Sequence, residues 1–164
     1  TPAVTCNTYG KGQAYIAGIW PGIEYSYKVR RADLDMTKDF DPAIRIYATA
    51  PALEKTTPVV DNSEPCVEGI LLKNNKTGKS AITLANWAAK TIAITQTENR
   101  GRVSTGFKQE SATFQNLKIK FRNAGPVKKV TSLWLEKELP ITQEGIYASV
   151  TLPTLEEGDV LRIE

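Results

Sequence analysis

The chain has 164 residues, of which 41% are hydrophobic and 24% charged, and its formal net charge is +3. This length fits one domain, or one domain with part of a second, and the composition is that of a globular protein. The sequence contains no histidine, which excludes Ser/His/Asp and Cys/His nucleophilic sites and histidine-containing metal centres. No apolar run approaches the ~20 residues of a membrane-spanning helix, so we expect no membrane partner.

The first 57 residues predict a β-hairpin followed by a short helix. The turn at residues 9–12 (Y-G-K-G) separates two segments of β-forming residues, and the Pro-Gly pair at residues 21–22 is expected to end the second strand. Asp41 and Pro42 have the pattern of an N-cap followed by proline at the first helical position. Because proline disfavours helix at the residue before it, Pro51 is expected to end this helix.

A stretch rich in proline and polar residues follows at residues 55–65, as is typical of a boundary between structural units. Its Val59 and Val60 belong either to a linker or to an edge strand. We place the boundary so that residues 1–57 form the hairpin-and-helix segment and residues 58–164 form a second domain.

The second domain is predicted to be an antiparallel β-sandwich of immunoglobulin-like or fibronectin-like type, so the fold class is mainly β. The apolar runs at residues 67–72 and 81–84 are of strand length, and the polar residues between them form turns. They therefore predict a hairpin. Later segments, including residues 127–134 and 146–152, raise the total to about seven or eight short strands at regular spacing.

One later strand, residues 117–122, shows the clearest alternation of side chains. Its apolar and basic residues fall on opposite faces (Leu117, Ile119 and Phe121 against Lys118, Lys120 and Arg122), as in a half-buried antiparallel strand. We interpret the basic face as a solvated surface, because no nucleic-acid motif accompanies it. We therefore expect no nucleic-acid partner.

No arrangement of residues predicts catalysis. A glycosidase needs two carboxyl groups at a defined separation, and no spacing in this sequence singles out such a pair. The exposed-turn interpretation is favoured for the glutamates of the second domain (Glu136, Glu138, Glu144, Glu156 and Glu157). We therefore assign no catalytic residue, no metal ligand and no cofactor, and we expect that the chain is not an enzyme by itself.

Three tryptophans and two cysteines remain as candidate site residues. Trp20, Trp87 and Trp134 each lie at the end of a predicted strand, where an aromatic ring either stacks on a sugar or packs in a core or interface. Cys6 and Cys66 either form a disulfide that closes a long loop, worth about 4 kcal/mol, or remain two thiols.

Two stretches resemble parts of large bacterial glycoside hydrolases. Residues 2–22, with Y-G-K-G-Q-A-Y-I at 9–16 and W-P-G at 20–22, are similar to the closing strands of the trimerisation domain in family 42 β-galactosidases. Residues 67–161, with V-E-G-I-L-L at 67–72 and L-P-T-L-E-E-G-D-V-L at 152–161, resemble the small C-terminal β-sandwich of the same enzymes.

Because the trimerisation domain of that family has an α/β fold, the resemblance implies that residues 1–57, the hairpin and the short helix, are a segment derived from an α/β domain. It also implies a non-catalytic accessory region of a glycoside-hydrolase-like protein that supports assembly or domain packing. Its partner is then the rest of a larger chain or another copy of itself. The catalytic barrel of the family has no counterpart here, so no catalytic residue of the family is assigned to this sequence. Residues 88–113 are an insertion relative to a minimal sandwich. The alternatives are a carbohydrate-binding module that holds polysaccharide on its tryptophans, and a free-standing secreted adhesion domain. An extracellular or periplasmic location is favoured.

Overall fold

The computed structural model describes residues 4–31, 36–38, 40–53, 56–123 and 125–164. The chain divides into two compact units, Thr1–Thr57 and Pro58–Glu164. Within the described residues the first unit consists of a hairpin and two helices, and the second consists of antiparallel β-structure.

The first unit opens with the expected hairpin. Strands β1 (Val4–Tyr9) and β2 (Gly12–Ala17) pair antiparallel. Gly10 occupies the turn between them with a φ of 59°, in the left-handed region that glycine adopts without steric cost. The hairpin prediction is confirmed.

The sequence-based expectation of a single helix in this unit is wrong. Helix α1 (Pro21–Arg31) follows the hairpin directly, and the carbonyl oxygen of Trp20 accepts hydrogen bonds from the amides of Ile23 at 2.9 Å and Glu24 at 3.0 Å. The Pro-Gly pair at residues 21–22, which is predicted to end the second strand, therefore also begins a helix. Proline suits this first position because an amide hydrogen there would have no partner within the helix.

Helix α2 (Pro42–Leu53) begins as predicted and ends later than predicted. The amide of Ala43 donates to Asp41 Oδ1 at 3.0 Å, which confirms the N-cap. The helix continues through position 51, because a proline in the last turn removes one amide hydrogen bond without interrupting the turns before it.

The first unit has no core of its own among its described side chains. None of them is buried, and its large apolar residues stand well exposed to solvent (Tyr9, Ile16, Trp20, Ile46 and Tyr47). Tyr25 and Phe40 do contact each other, with ring centroids 4.9 Å apart. Burial of apolar surface is the main favourable term in folding, and the described side chains of this unit contribute little of it.

The second unit contains strands β3 to β13. They are β3 (Val60–Asn62), β4 (Val67–Lys73), β5 (Ser80–Asn86), β6 (Ala89–Asn99), β7 (Arg102–Ser111), β8 (Phe114–Arg122), β9 (Val130–Ser132), β10 (Lys137–Leu139), β11 (Ile141–Glu144), β12 (Tyr147–Leu155) and β13 (Gly158–Ile163). Within the described residues they form a five-stranded sheet in the order β10-β9-β13-β5-β4, a four-stranded sheet in the order β11-β12-β8-β3, and the separate hairpin β6-β7. The predicted mainly β, antiparallel sandwich is confirmed.

The core lies between the two larger sheets. The inward residues of β8 are almost fully buried while its basic residues are exposed, which confirms the alternation predicted for this strand. The five-stranded sheet contributes a matching set of buried side chains (Ile82, Leu84, Val130, Leu161 and Ile163). The sheets come close where Gly69 of β4 faces Val60 of β3, since a Cβ on Gly69 would lie 2.7 Å from Val60 Cγ1.

Of the two alternatives for Val59 and Val60, the edge strand is the one observed, because Val60 begins β3 at the edge of the four-stranded sheet. Other strands differ from the prediction. Strands β10 and β11 were not predicted, so Glu138 and Glu144 lie in short exposed strands instead of turns. The predicted strand at residues 146–152 begins one residue later, as β12, and Ile146 lies before it and is 58% exposed, whereas the alternate residues Ala148, Val150 and Leu152 are buried.

Candidate functional site

The outer side of the five-stranded sheet exposes apolar side chains. On β4, Gly69 lies opposite the buried Leu84 and therefore faces the core. Because successive residues of a strand point to opposite faces, Ile70 and Leu72 point away from the core, and they are 48% and 52% exposed. An edge strand of this sheet thus presents two aliphatic residues to its outer side.

The apolar character continues across the neighbouring strands. Ile70 lies opposite Thr83 of β5, and Thr83 lies opposite Val160 of β13. Beyond β13, the amide of Leu133 donates to the carbonyl oxygen of Val160 at 2.9 Å, and the Leu133 side chain is 48% exposed. These outward residues therefore form a row that runs across the sheet from its edge strand β4 towards β9.

Trp87 stands at the end of β5 on this same side. Its amide donates to the carbonyl oxygen of Cys66 at 2.9 Å, and its indole Nε1 donates to Glu68 Oε2 at 3.1 Å. Glu68 is an outward residue of β4, opposite Ala85. The hydrogen bond to Glu68 therefore orients an indole that is still 65% exposed.

Trp134 lies in the turn that follows β9. A shallow depression of about 400 Å³ is lined by Trp134 and Leu133 together with Thr83, Gly158 and Val160 of the outer side. Gly158 is required for close packing against β5, since a Cβ at this position would lie 2.7 Å from the carbonyl oxygen of Leu84. The indole of Trp134 is 65% exposed.

A buried polar cluster holds the turn that carries Trp134. Ser132 Oγ donates to Asp159 Oδ2 at 2.5 Å, and the amides of Trp134 and Val160 donate to Asp159 Oδ1 at 3.0 and 2.6 Å. Ser132 Oγ also accepts from the amide of Leu135 at 3.0 Å. Asp159 and Ser132 are buried, and a buried carboxylate is stable only when such donors satisfy it. The sequence analysis missed this cluster. A usable signal was the position of Asp159, which alternates with Leu161 and Ile163 on the buried face of β13 and therefore indicates a buried carboxylate.

We call this surface the outer apolar face, defined by its exposed large residues (Ile70, Leu72, Trp87, Leu133 and Trp134). The structure thus brings two of the three candidate tryptophans to one side of one sheet. Trp20 belongs to the first unit, where it precedes α1 and is 74% exposed. None of the three indole rings packs in a core, and sugar binding by them stays a prediction.

The two cysteines differ in environment. Cys6 is an exposed residue of β1, whereas Cys66 is buried at the start of β4. Burial raises the pKa of the Cys66 thiol, and the nearby Glu64 carboxylate adds to this effect. The disulfide and the two separate thiols remain the two alternatives for this pair.

The cysteines are expected to react differently with a thiol reagent. In the native protein at pH 8 we expect Cys6 to react with Ellman's reagent at once and Cys66 to react only after unfolding, because the thiolate is the nucleophile and burial disfavours it. The measurement is the release of thionitrobenzoate before and after adding guanidinium chloride. The variants Cys6→Ser and Cys66→Ser assign each phase. If neither thiol reacts in denaturant until a reductant is added, the disulfide exists and this prediction is wrong.

The described residues contain no group of three or more cysteine, aspartate or glutamate side chains placed to hold a metal ion. In the same part of the chain, no helix is both long and apolar enough to cross a membrane. The glutamates noted in the sequence of the second unit are all exposed.

Comparison with known proteins gives a likeness of fold. No protein-family model matches the sequence, and no curated protein matches it. Among solved structures, the chain is similar to alpha-L-fucosidase isoenzyme 2 from Paenibacillus thiaminolyticus, with a TM-score of 0.51 and 13% identity. The match covers 74% of this chain and 17% of that enzyme chain. This chain thus shares a fold with a small part of a larger glycoside hydrolase.

Proposed function

We propose that this chain is a non-catalytic accessory region of a glycoside-hydrolase-like protein, and that its outer apolar face packs against another domain of the same protein. The observation that carries the proposal is the face itself. Two indoles and three aliphatic side chains are each about half exposed or more on one side of one sheet. Exposed apolar residues grouped in this way typically mark an interaction surface.

The opposite side of the sandwich supports this interpretation. The outward residues of β8 and β12 are basic or hydroxyl-bearing, as Lys118, Lys120 and Ser149 illustrate. An antiparallel sheet with one face in water normally shows such polar residues on that face. The two outer sides therefore differ, and only the five-stranded sheet presents the composition of a surface that is covered by protein.

The remainder of a larger chain is the occupant that we propose. A solved structure of similar fold is a glycoside hydrolase in which the matched part is 17% of the chain, and the sequence resembles the end of family 42 β-galactosidases. The first unit adds to this support, because none of its described side chains is buried. Both units thus present apolar surface that a neighbouring domain would remove from water.

The test is a calorimetric titration of this chain against the rest of its natural protein, produced separately. We expect a saturable complex, and we expect Ile70→Asp to weaken it by about tenfold or more, which corresponds to about 1.4 kcal/mol. Thr151→Asp, an exposed position on the outer side of the other sheet, is the matched control and is expected to leave the affinity unchanged. Circular dichroism of each variant establishes that it is folded, and Leu72→Ser replaces Ile70→Asp if that variant is not.

Two results contradict the proposal. One is a natural protein that contains no further domain. The other is an equal loss of affinity in Ile70→Asp and Thr151→Asp, because the outer apolar face would then have no special part in the complex.

A second candidate function is carbohydrate binding, and the observation that favours it is the presence of both Trp87 and Trp134 on the outer apolar face. Exposed indoles offer flat apolar surfaces on which sugar rings stack. The test is a titration of tryptophan fluorescence with soluble galactans, xylans and glucans. Saturable quenching that is lost in Trp87→Ala or Trp134→Ala, and kept in the matched control Trp20→Ala, supports this function. Absence of quenching by every polysaccharide eliminates it.

A further inference from the structure

The outer side of the four-stranded sheet carries a second concave surface, which neither candidate function uses. It is a cleft of about 790 Å³, a volume within the range of about 300–1,000 Å³ that small-molecule sites occupy. Strands β8 and β12 form its floor, and residues 137–140 line it where the chain crosses from the five-stranded sheet to the four-stranded sheet. We call it the basic cleft.

Three lysines and two carboxylates line the basic cleft. The lysines are Lys118 and Lys120 of β8 and Lys137 of β10, and within the described part of the chain none of the three forms an ion pair. Glu138 Oε2 pairs with Lys129 Nζ at 3.0 Å. Asp61 Oδ1 accepts from the amide of Asn62 at 3.0 Å and keeps its negative charge, and Asp61 lies opposite Lys120. The lining therefore has a small excess of positive charge, which is least compensated at Lys118 and Lys137.

Hydroxyl groups stand beside these lysines in a defined register. Ser149 of β12 lies opposite Lys120 on one side and Thr142 of β11 on the other. Thr151 lies opposite Lys118. Directly opposite residues of paired strands have Cβ atoms about 4.5–5.5 Å apart. Across the floor of the basic cleft, hydroxyls therefore lie next to Lys118 and Lys120, and Asp61 of β3 lies on the far side of Lys120.

We propose that the basic cleft binds a carboxylate-bearing oligosaccharide. Lys118 and Lys120 are placed to contact the carboxylates as point charges, and the hydroxyls of Ser149 and Thr151 are placed to exchange hydrogen bonds with sugar hydroxyls, since each both donates and accepts. The cleft is far larger than a single inorganic anion requires. It rests on residues remote from the outer apolar face, so the failure of either proposal leaves the other standing.

A nucleic acid fits these residues less well. Sequence-tolerant binding of single strands relies on several aromatic rings on which successive bases stack. The described residues that line the basic cleft include no aromatic side chain, and the neighbouring Tyr147 ring already has Lys120 Nζ at 4.9 Å from its centroid. A row of hydroxyls without free rings suits sugars better than bases.

The test is a calorimetric titration of the full chain with trigalacturonate and with its neutral counterpart, α-1,4-galactotriose. We expect the acidic trisaccharide to bind about tenfold more tightly, and we expect its affinity to fall as salt is raised, because exposed charges are screened. Lys118→Gln and Lys120→Gln are each expected to weaken binding by about fivefold, as charge-assisted hydrogen bonds are lost. Lys79→Gln, an exposed lysine in the turn between β4 and β5, is the matched control and is expected to change binding by less than about twofold.

The proposal is overturned if trigalacturonate shows no saturable binding or if the neutral trisaccharide binds equally well. It is also overturned by an equal loss of affinity in Lys79→Gln, or by equal affinity for a single-stranded oligonucleotide of the same charge. Displacement by inorganic phosphate at the same concentration also overturns it, because the cleft would then be a general anion site. These lysines are exposed, so the variants are expected to fold normally.

Discussion

Replacement of Asp159 by alanine is expected to lower the free energy of unfolding by about 3–5 kcal/mol. The substitution removes the acceptor of Ser132 Oγ and of the amides of Trp134 and Val160. Those donors lie in a buried or partly buried region, so water does not readily replace the carboxylate. The turn after β9 is then expected to lose its fixed geometry, together with the placement of Trp134.

The measurement is chemical denaturation monitored by circular dichroism, with the emission maximum of tryptophan recorded in the native baseline. Asp159→Asn is the matched control. The asparagine side chain keeps one acceptor oxygen, and its amide group donates a hydrogen bond to Ser132 Oγ in place of the carboxylate oxygen. We therefore expect a smaller loss of unfolding free energy, about 1–2 kcal/mol. Equal losses in the two variants would mean that the negative charge, and not the hydrogen-bond geometry, stabilises the turn.

Ile119→Ala is expected to lower the free energy of unfolding by about 2–4 kcal/mol. Ile119 is 1% exposed and lies opposite Val150 of β12 and Asn62 of β3. Truncation removes apolar contacts and leaves a cavity in a core where neighbouring side chains already fill the space between two sheets.

Urea denaturation measures this loss, with Lys118→Ala as the matched control on the same strand. Lys118 points to solvent, so its truncation is expected to change stability by no more than about 0.5 kcal/mol. A shift of the unfolding midpoint that is the same in both variants is incompatible with the burial of Ile119 in the sandwich core.

Local sequence patterns were sufficient where alternation or turn chemistry is strong. In β8 the apolar and basic residues alternate strictly, and in the hairpin of β4 and β5 the side chain of Asn74 accepts from the amides of Lys76 and Thr77, as an Asx-type turn predicts. Both features depend on residues close in sequence. The N-cap of α2 was predictable for the same reason.

Other elements carry weak or ambiguous local signals. The Pro-Gly pair before α1 fits a strand end as well as a helix start. Strands β10 and β11 have only three and four residues, with Pro140 between them, so no periodicity develops. These short strands are defined by their pairing with β9 and β12, which the local sequence does not specify.

The candidate site was the least predictable part, because it depends on non-local pairing. Trp87 and Trp134 are recognisable in the sequence as aromatic residues at strand ends. That they lie on the same side of the sheet follows from the register in which β13 pairs with β5 and with β9. Register shifts of one residue move a whole set of side chains to the other face. Composition and spacing alone do not fix that register.

The position of β13 has a consequence for the order of folding. This strand lies between β5 and β9 in the five-stranded sheet, yet among the strands of the second unit it is the last to be synthesised. Until it emerges, β4 and β5 form one fragment of the sheet and β9 and β10 another, with no strand to join them. Contacts between residues so far apart in sequence slow folding, so closure of this sandwich is expected to wait until the ribosome has released residues 158–163.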